Sequence, residues 1–406
     1  MDDETDPWAS SALSVRESLR NAVEEATDEG DGPTAALATV VGVEGSAYRR
    51  PGAKRVVADE EAVGGVTAGC LDGPVTDLAE AALAEGPQCE TFDLTGEDDT
   101  WALGLGCNGV IDVLVEPADA SLRPALDRVG RGERVALLTA VGGDGAVPVG
   151  ARALVDRTGD VEATDARPAL PDDAVAAVRE RAAAFAAAGR SATVEIETDR
   201  GTAAVFVDGL EPAPELLIFG HGGDVRPVSR LARDAGFRVT VAAARGERAD
   251  AERFPAAHEV VAVRPAGLEE AVSRPTDTYA VLMSHDFVDD RLALESLLDT
   301  QVPYVGLMGP RKRFDELRAA LAEEGVELSA ADRDRVATPV GLDLGGGEPT
   351  RIALSVVGEV LAVSNGREGG RLTEAEGPIH ARSGSNADDE QPSAGDSDPP
   401  PEPDPD

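Results

Sequence analysis

Residues Leu216–Arg245 read LLIFGHGGDVRPVSRLARDAGFRVTVAAAR. An apolar strand (Leu216–Phe219) runs into a glycine-rich turn (Gly220–Gly223). A helix with Val228, Leu231 and Ala232 on one face follows, and Val239–Val241 is a second, β-branched strand. A parallel strand needs a helical crossover to return beside its neighbour, so this stretch is predicted to open a doubly wound sheet. The pattern recurs, predicting strands at 216–219, 237–241, 258–263, 278–283 and 303–307 with helices between. A further helix at about Thr350–Ala362 follows the Gly341–Gly347 turn.

Upstream, 406 residues leave room for additional cores, since one core stops growing at roughly 250–300 residues. Residues 1–117 read as an amino-terminal α/β domain. It has an amphipathic helix (Ser14–Ala26), strands Ala35–Val43, Val56–Ala58, Gly64–Val66, Glu90–Leu94 and Val110–Val115, and a helix opened by Pro74. Residues 118–213 alternate helix and strand without a motif: helices Arg123–Val129 and Asp173–Ala188, strands Val135–Val141, Thr193–Ile196 and Ala203–Val207. Residues 214–364 hold the Rossmann-like pattern. From 365 to 406 the chain is an acidic Gly/Ser/Pro tail that cannot bury a core and is expected to be disordered.

The formal net charge is −40, and the only lysines are Lys54 and Lys312. So acidic a surface repels nucleic acid and anionic lipid, which excludes both as partners. Carboxylates spread along the whole chain with almost no lysine suggest adaptation to high salt, where self-repulsion is screened. No apolar run reaches membrane-spanning length, the start MDDETDP is not a signal peptide, and three cysteines without CxxC spacing fit a reducing cytoplasm.

Three constellations can carry chemistry. In Gly220-His221-Gly222-Gly223-Asp224, Val225 stands where a dinucleotide turn has its third glycine. Asp224 is placed to cap the following helix, and Ala242–Ala244 replace the acid that holds a ribose, while Arg245 could take a phosphate. The fourth strand ends in Ser284-His285-Asp286. Loops after the first and fourth strands face each other in such sheets, so His221, Asp224, His285 and Asp286 are expected to converge. Both lysines lie in basic clusters beside glycine turns, Arg49–Arg55 and Arg311–Arg313, which suit either a phosphate or salt bridges to neighbouring carboxylates. Cys70, beside Gly69, and Cys107 sit near glycines, as a soft metal ligand, a nucleophile or a small buried hydrophobe.

Eight stretches together resemble the XdhC/CoxI family of molybdenum-hydroxylase maturation proteins. They are GSAYRRPGAKRVV, AGCLDGPV, FDLTGEDD, GLGCNGVIDVLVEP, LLIFGHGGDVRPVSRLARDAGFRVTV, VLMSHD, YVGLMGPRKR and PVGLDLGGGEPTRIALSVVGEVLA, spanning 45 to about 362. The resemblance implies an amino-terminal domain whose glycine-flanked cysteines, here Cys70 and Cys107, are candidate molybdenum ligands. It also implies a Rossmann-like carboxy-terminal domain carrying the Gly220 turn and Ser284-His285-Asp286. Such proteins bind molybdenum cofactor (molybdopterin), protect it during sulfuration by a cysteine desulfurase, and deliver it to a xanthine dehydrogenase-like hydroxylase. A homodimer would fit the family. Arg49 and Lys54, near Gly69 and Cys70 in the same domain, then become candidates for the pterin phosphate. The family turn usually reads G-A-G-H, whereas here His221 takes the alanine position and Gly223 that of the histidine.

Two other readings compete with a carrier that needs no turnover. One is an NAD(P)-dependent oxidoreductase using Arg245 for a 2′-phosphate and His285 as acid/base. The other is a scaffold that only docks the hydroxylase and the desulfurase.

Overall fold

The computed structural model describes residues 10–374, apart from 29–31, 59–60, 96–107, 146, 163, 165–166 and 200. Cys107 and most of the acidic tail therefore lie outside the described residues.

Helix α1 (Ala12–Asp28) places Val15, Leu19, Ala22 and Val23 on its buried face. It is followed by β1 (Ala35–Ser46), β2 (Lys54–Ala58), β3 (Glu61–Gly64), α2 (Asp72–Glu85), β4 (Gln88–Asp93) and β5 (Asn108–Pro117). The five strands form an antiparallel sheet ordered β3-β2-β1-β5-β4. Two details depart from the sequence reading. Strand β3 ends at Gly64 rather than starting there, and α2 begins at Asp72, which puts Pro74 inside its first turn.

The segment that shows no motif is a second copy of this unit. It runs α3 (Arg123–Gly130), β6 (Val135–Gly143), β7 (Arg152–Asp156), β8 (Val161–Glu162), α4 (Asp172–Ala188), β9 (Ser191–Thr198) and β10 (Gly201–Leu210). Its sheet is ordered β8-β7-β6-β10-β9, the same order as the first. Both copies carry a one-residue bulge in the first strand, at Val41 and at Val141, each skipped in the ladder to the last strand. The turns into β2 and β7 match bond for bond: Gly52 N–H donates to Val40 O, and Gly150 N–H to Ala140 O. Both glycines have positive φ, +96° and +85°, where a Cβ would strike Ser191 Oγ at 2.9 Å and Pro87 Cγ at 2.5 Å.

The two copies pack together and exchange counter-charges. Val41 and Leu114 of the first meet Val141 and Phe206 of the second, and α1 and α3 share one core. Leu37 pairs with Glu116 just as Leu137 pairs with Asp208, and Thr39 with Lys54 just as Thr139 pairs with Arg152. Lys54 Nζ lies 2.6 Å from Asp208 Oδ2, while Arg152 bonds Glu116. Each copy thus supplies the acid for the other's cation, the reciprocity a two-fold relation produces.

The third unit holds β11 (Glu215–Phe219), α5 (Val225–Asp234), β12 (Arg238–Ala243), β13 (Glu259–Ala262), β14 (Thr278–Leu282), α6 (Phe287–Leu298), β15 (Tyr304–Leu307), α7 (Arg311–Glu323), α8 (Ala330–Asp334), β16 (Val336–Ala337) and α9 (Pro349–Ser364). Its sheet is fully parallel, ordered β13-β12-β11-β14-β15-β16, a doubly wound Rossmann arrangement. Helices α5 and α9 cover one face, and α6 and α7 the other. On α5, burial of Val225 and Val228 contributes about 2 kcal/mol each. The expected helices on either side of β13 are absent. Short 3₁₀ turns at Gly246–Arg248, Ala251–Arg253, Pro265–Ala271 and Pro275–Asp277 make those crossovers, Pro265 and Pro275 each opening one. Strand β16 is only two residues long and has no apolar run to announce it.

Candidate functional site

Parallel strands bring the carboxyl ends of β11, β12 and β14 to one edge, at the point where strand order reverses. Gly220 is required there, because a Cβ would lie 2.6 Å from Met283 O at the end of β14. The two loops therefore touch, and of the four residues expected to converge, His285 and Asp224 bond directly across the crevice. His285 Nε2 donates to Asp224 Oδ2 at 2.7 Å. His285 is also the single non-glycine residue with positive φ among the described residues, at 62°. Strain of this kind persists where the surroundings over-determine a conformation, often at ligand sites.

Asp224 does not cap α5 as its position suggests. It precedes the helix with helical φ and ψ and its carboxylate bonds no backbone N–H, while Gly220 N–H donates to Ala242 O at 2.9 Å and Val225 N–H to Gly222 O at 3.3 Å. Asp286 has the capping role instead, accepting from Val288 N at 2.9 Å and Asp289 N at 3.0 Å at the start of α6. Ser284 Oγ donates to Asp290 Oδ1 at 2.5 Å, and buried Asp290 takes Arg313 at 2.7 Å. Arg313 thus neutralises a carboxylate, and Lys312 pairs with Glu316 on the exposed face of α7. Two of the three basic residues of that cluster thus form salt bridges.

His221 sits under arginines that sequence reasoning did not pick out. The Arg248 guanidinium abuts its Nε2, and Arg253 donates to its backbone O at 3.0 Å. Because Arg248 can only donate, Nε2 accepts and the ring is neutral. Burial, then Arg248, Arg253 and Arg245, lower the His221 pKa. Asp289 opposite is shifted upward, by burial and then by Asp286. Positive charge therefore gathers at the end of β12, where a ribose-binding acid usually stands, in a chain of net charge −40. Arg248 and Arg253 escaped notice because they enter from the irregular β12–β13 connection rather than from a motif.

The amino-terminal candidates lie apart from this crevice. Cys70 and Gly69 belong to the loop between β3 and α2, and Cys70 packs half-buried with Val66, Leu71 and Val75 on the α2 side of the first sheet. Lys54 points from the opposite face of β2 toward the second copy, and lines with Arg49 a cavity between the two copies. One ligand does not touch Cys70 and Lys54 through the sheet. Gly222 and Gly223 remain in the crevice turn, a Cβ on Gly222 meeting Asp224 Oδ1 at 2.4 Å. Among the described residues no group of three His, Cys, Asp or Glu side chains is placed to hold a metal ion, and no helix is long and apolar enough to cross a membrane.

Comparison with known proteins agrees with this architecture. The XdhC Rossmann domain matches residues 216–360, and the XdhC and CoxI family description matches residues 30–93. A Bacillus subtilis protein described as a probable xanthine dehydrogenase subunit is 28% identical over 338 residues, covering 82% of this chain and 93% of that one. The uncharacterized Escherichia coli protein YqeB is 28% identical over 179 residues, 44% of this chain and 32% of its own. A crystal structure described as a xanthine dehydrogenase from Bacillus halodurans superposes with a TM-score of 0.66 at 26% identity, covering 89% of this chain and 97% of that one. With both matched segments in the same order, the chain belongs to the XdhC and CoxI family.

Proposed function

We propose that the chain is a cytoplasmic maturation protein that carries molybdenum cofactor as cargo, keeps it accessible to a cysteine desulfurase, and delivers it to a xanthine dehydrogenase-type hydroxylase. One observation carries the reading: Arg245, Arg248 and Arg253 gather around the neutral His221 at the switch-point crevice. The turn's amides are not capped by Asp224, so a phosphate would find both backbone donors and guanidinium groups. His221 and the His285–Asp224 pair are placed to hydrogen-bond a heterocycle. Cys70 and Cys107, the thiols that the family resemblance implies for molybdenum, belong to the amino-terminal domain, and Cys70 lies apart from this crevice.

The test is molybdenum and pterin content after co-expression with a cofactor-producing host at high salt. The wild type is expected to retain both. Arg248→Ala/Arg253→Ala should lose the pterin and with it the metal, whereas loss of both in Cys70→Ala alone would move the cofactor to the amino-terminal domain. The same arginines would also suit a 2′-phosphate, which favours the oxidoreductase as second reading. A wild type empty of pterin that binds NADPH saturably would replace the carrier with it.

A further inference from the structure

Between the two amino-terminal copies lies a cavity of about 320 Å³. Its polar end holds Arg16, Arg49, Lys54, Asp208 and Ser191, and its apolar end Leu19, Leu126, Leu137 and Phe206. Glu116 also lines it, closed off by Arg152. There the longer arginine–glutamate pair, with Ser121 accepting from Arg152 at 2.8 Å, is fully buried. At the Lys54 end a shorter pair closes the contact, with Ser191 Oγ donating to Asp208 Oδ1 at 2.8 Å. The space left over is the cavity.

The charges do not cancel. Lys54 is satisfied by Asp208 and by Gly52 O at 3.0 Å, Glu116 by Arg152, and Glu211 by Arg134 at 2.7 Å. Arg16 makes no hydrogen bond or ion pair among the described residues, although it is largely enclosed. Burial lowers its pKa, and Asp208 and Glu211 only partly oppose this. Arg49 stacks on Tyr48, with its Nε buried and unpartnered. Neither guanidinium has a direct ion-pair partner among the described residues, so an anion entering the cavity would meet two cations that are free to bond it.

We infer that this cavity binds a small organic anion, its carboxylate or phosphate head held by Arg16 and Arg49 and its apolar body lying among Leu19, Leu126 and Leu137. The site is separate from the Rossmann crevice and does not depend on the cargo proposed there. Lys54, held by Asp208, sets the wall against which the head rests.

Isothermal titration calorimetry of the full chain with phenylphosphate, benzoate and benzyl alcohol tests this. The anions are expected to bind saturably with one-to-one stoichiometry, and benzyl alcohol much more weakly. Arg16→Met removes the charge but keeps the aliphatic stem, and should weaken anion binding at least about tenfold while the chain stays folded by circular dichroism. Leu126→Trp should abolish binding by filling the apolar end, with Arg16 intact. Arg248→Ala should leave it unchanged. Absence of saturable binding by either anion, or affinity unaltered in Arg16→Met, overturns the proposal. Binding lost in Arg248→Ala but kept in Arg16→Met would move the probe to the crevice and equally overturn it.

Discussion

His285 Nε2 donates to Asp224 Oδ2 at 2.7 Å, from a backbone held at φ 62°, so the loop after β14 and the turn after β11 close on each other. The left-handed conformation costs a non-glycine residue about 1 kcal/mol or more, and one exposed hydrogen bond returns no more than that. His285→Gly is therefore expected to unfold at a temperature no lower than the wild type while losing affinity for the crevice ligand. Thermal unfolding alongside pterin retention checks both halves. A lowered melting temperature would show that the conformation is not strained.

The Arg152–Glu116 pair is enclosed on all sides. Removing one partner leaves an uncompensated buried charge, so Arg152→Ala should cost about 3–5 kcal/mol in urea unfolding. Arg152→Met/Glu116→Leu should recover most of that. Lys54→Ala should cost less, because Lys54 retains 19% side-chain exposure.

His221 has a lowered pKa, so it takes up its proton at lower pH in the folded chain than in the unfolded one. Stability from this group is complete above the unfolded value of about 6.5 and is lost as pH falls from there through the folded value. The unfolding midpoint should drop over that window. His221→Gln should flatten the profile, and an unchanged slope would assign the dependence to other groups.

Burial, with Asp112 and Glu90 adding to it, pushes the Cys89 thiol up to about 11. At neutral pH its thiolate is scarce, and alkylation should run about a hundredfold slower than for free cysteine. Time-resolved iodoacetamide labelling read by mass spectrometry gives the rate. Fast modification of Cys89 would mean that its strand opens readily.

The Rossmann unit was legible because parallel strands buried on both faces are continuous apolar runs, such as Leu216–Phe219, punctuated by glycine. The meeting of Asp224 and His285 followed from topology alone. What the sequence hid lies off the motifs. Arg248 and Arg253 approach through a connection without periodicity, and Asp224 left its capping role because His285 reached it. The duplication has a faint trace: Ala36-Leu37, Thr39 and Val41-Gly42 recur as Ala136-Leu137, Thr139 and Val141-Gly142, and Gly52-Ala53-Lys54 as Gly150-Ala151-Arg152. Reading for chemistry passed over it, since the repeated residues are those that pack and turn rather than those that react. Placing Cys70 and Lys54 on opposite faces follows from the period of two along β2 and from which side α2 covers, and neither is visible from proximity in sequence.

The exchange of counter-charges between the two amino-terminal copies also bears on ancestry. Were the first copy a separate chain, two of them could stand as the two copies stand here, Lys54 of each facing Glu116 of the other. The present polypeptide has the form that gene fusion gives a self-pairing ancestor, and fusion frees the two halves to diverge. Of the two junctions between the halves, one stayed sealed with arginine and glutamate, and the other, built from lysine and aspartate, was left with a hollow that selection could furnish.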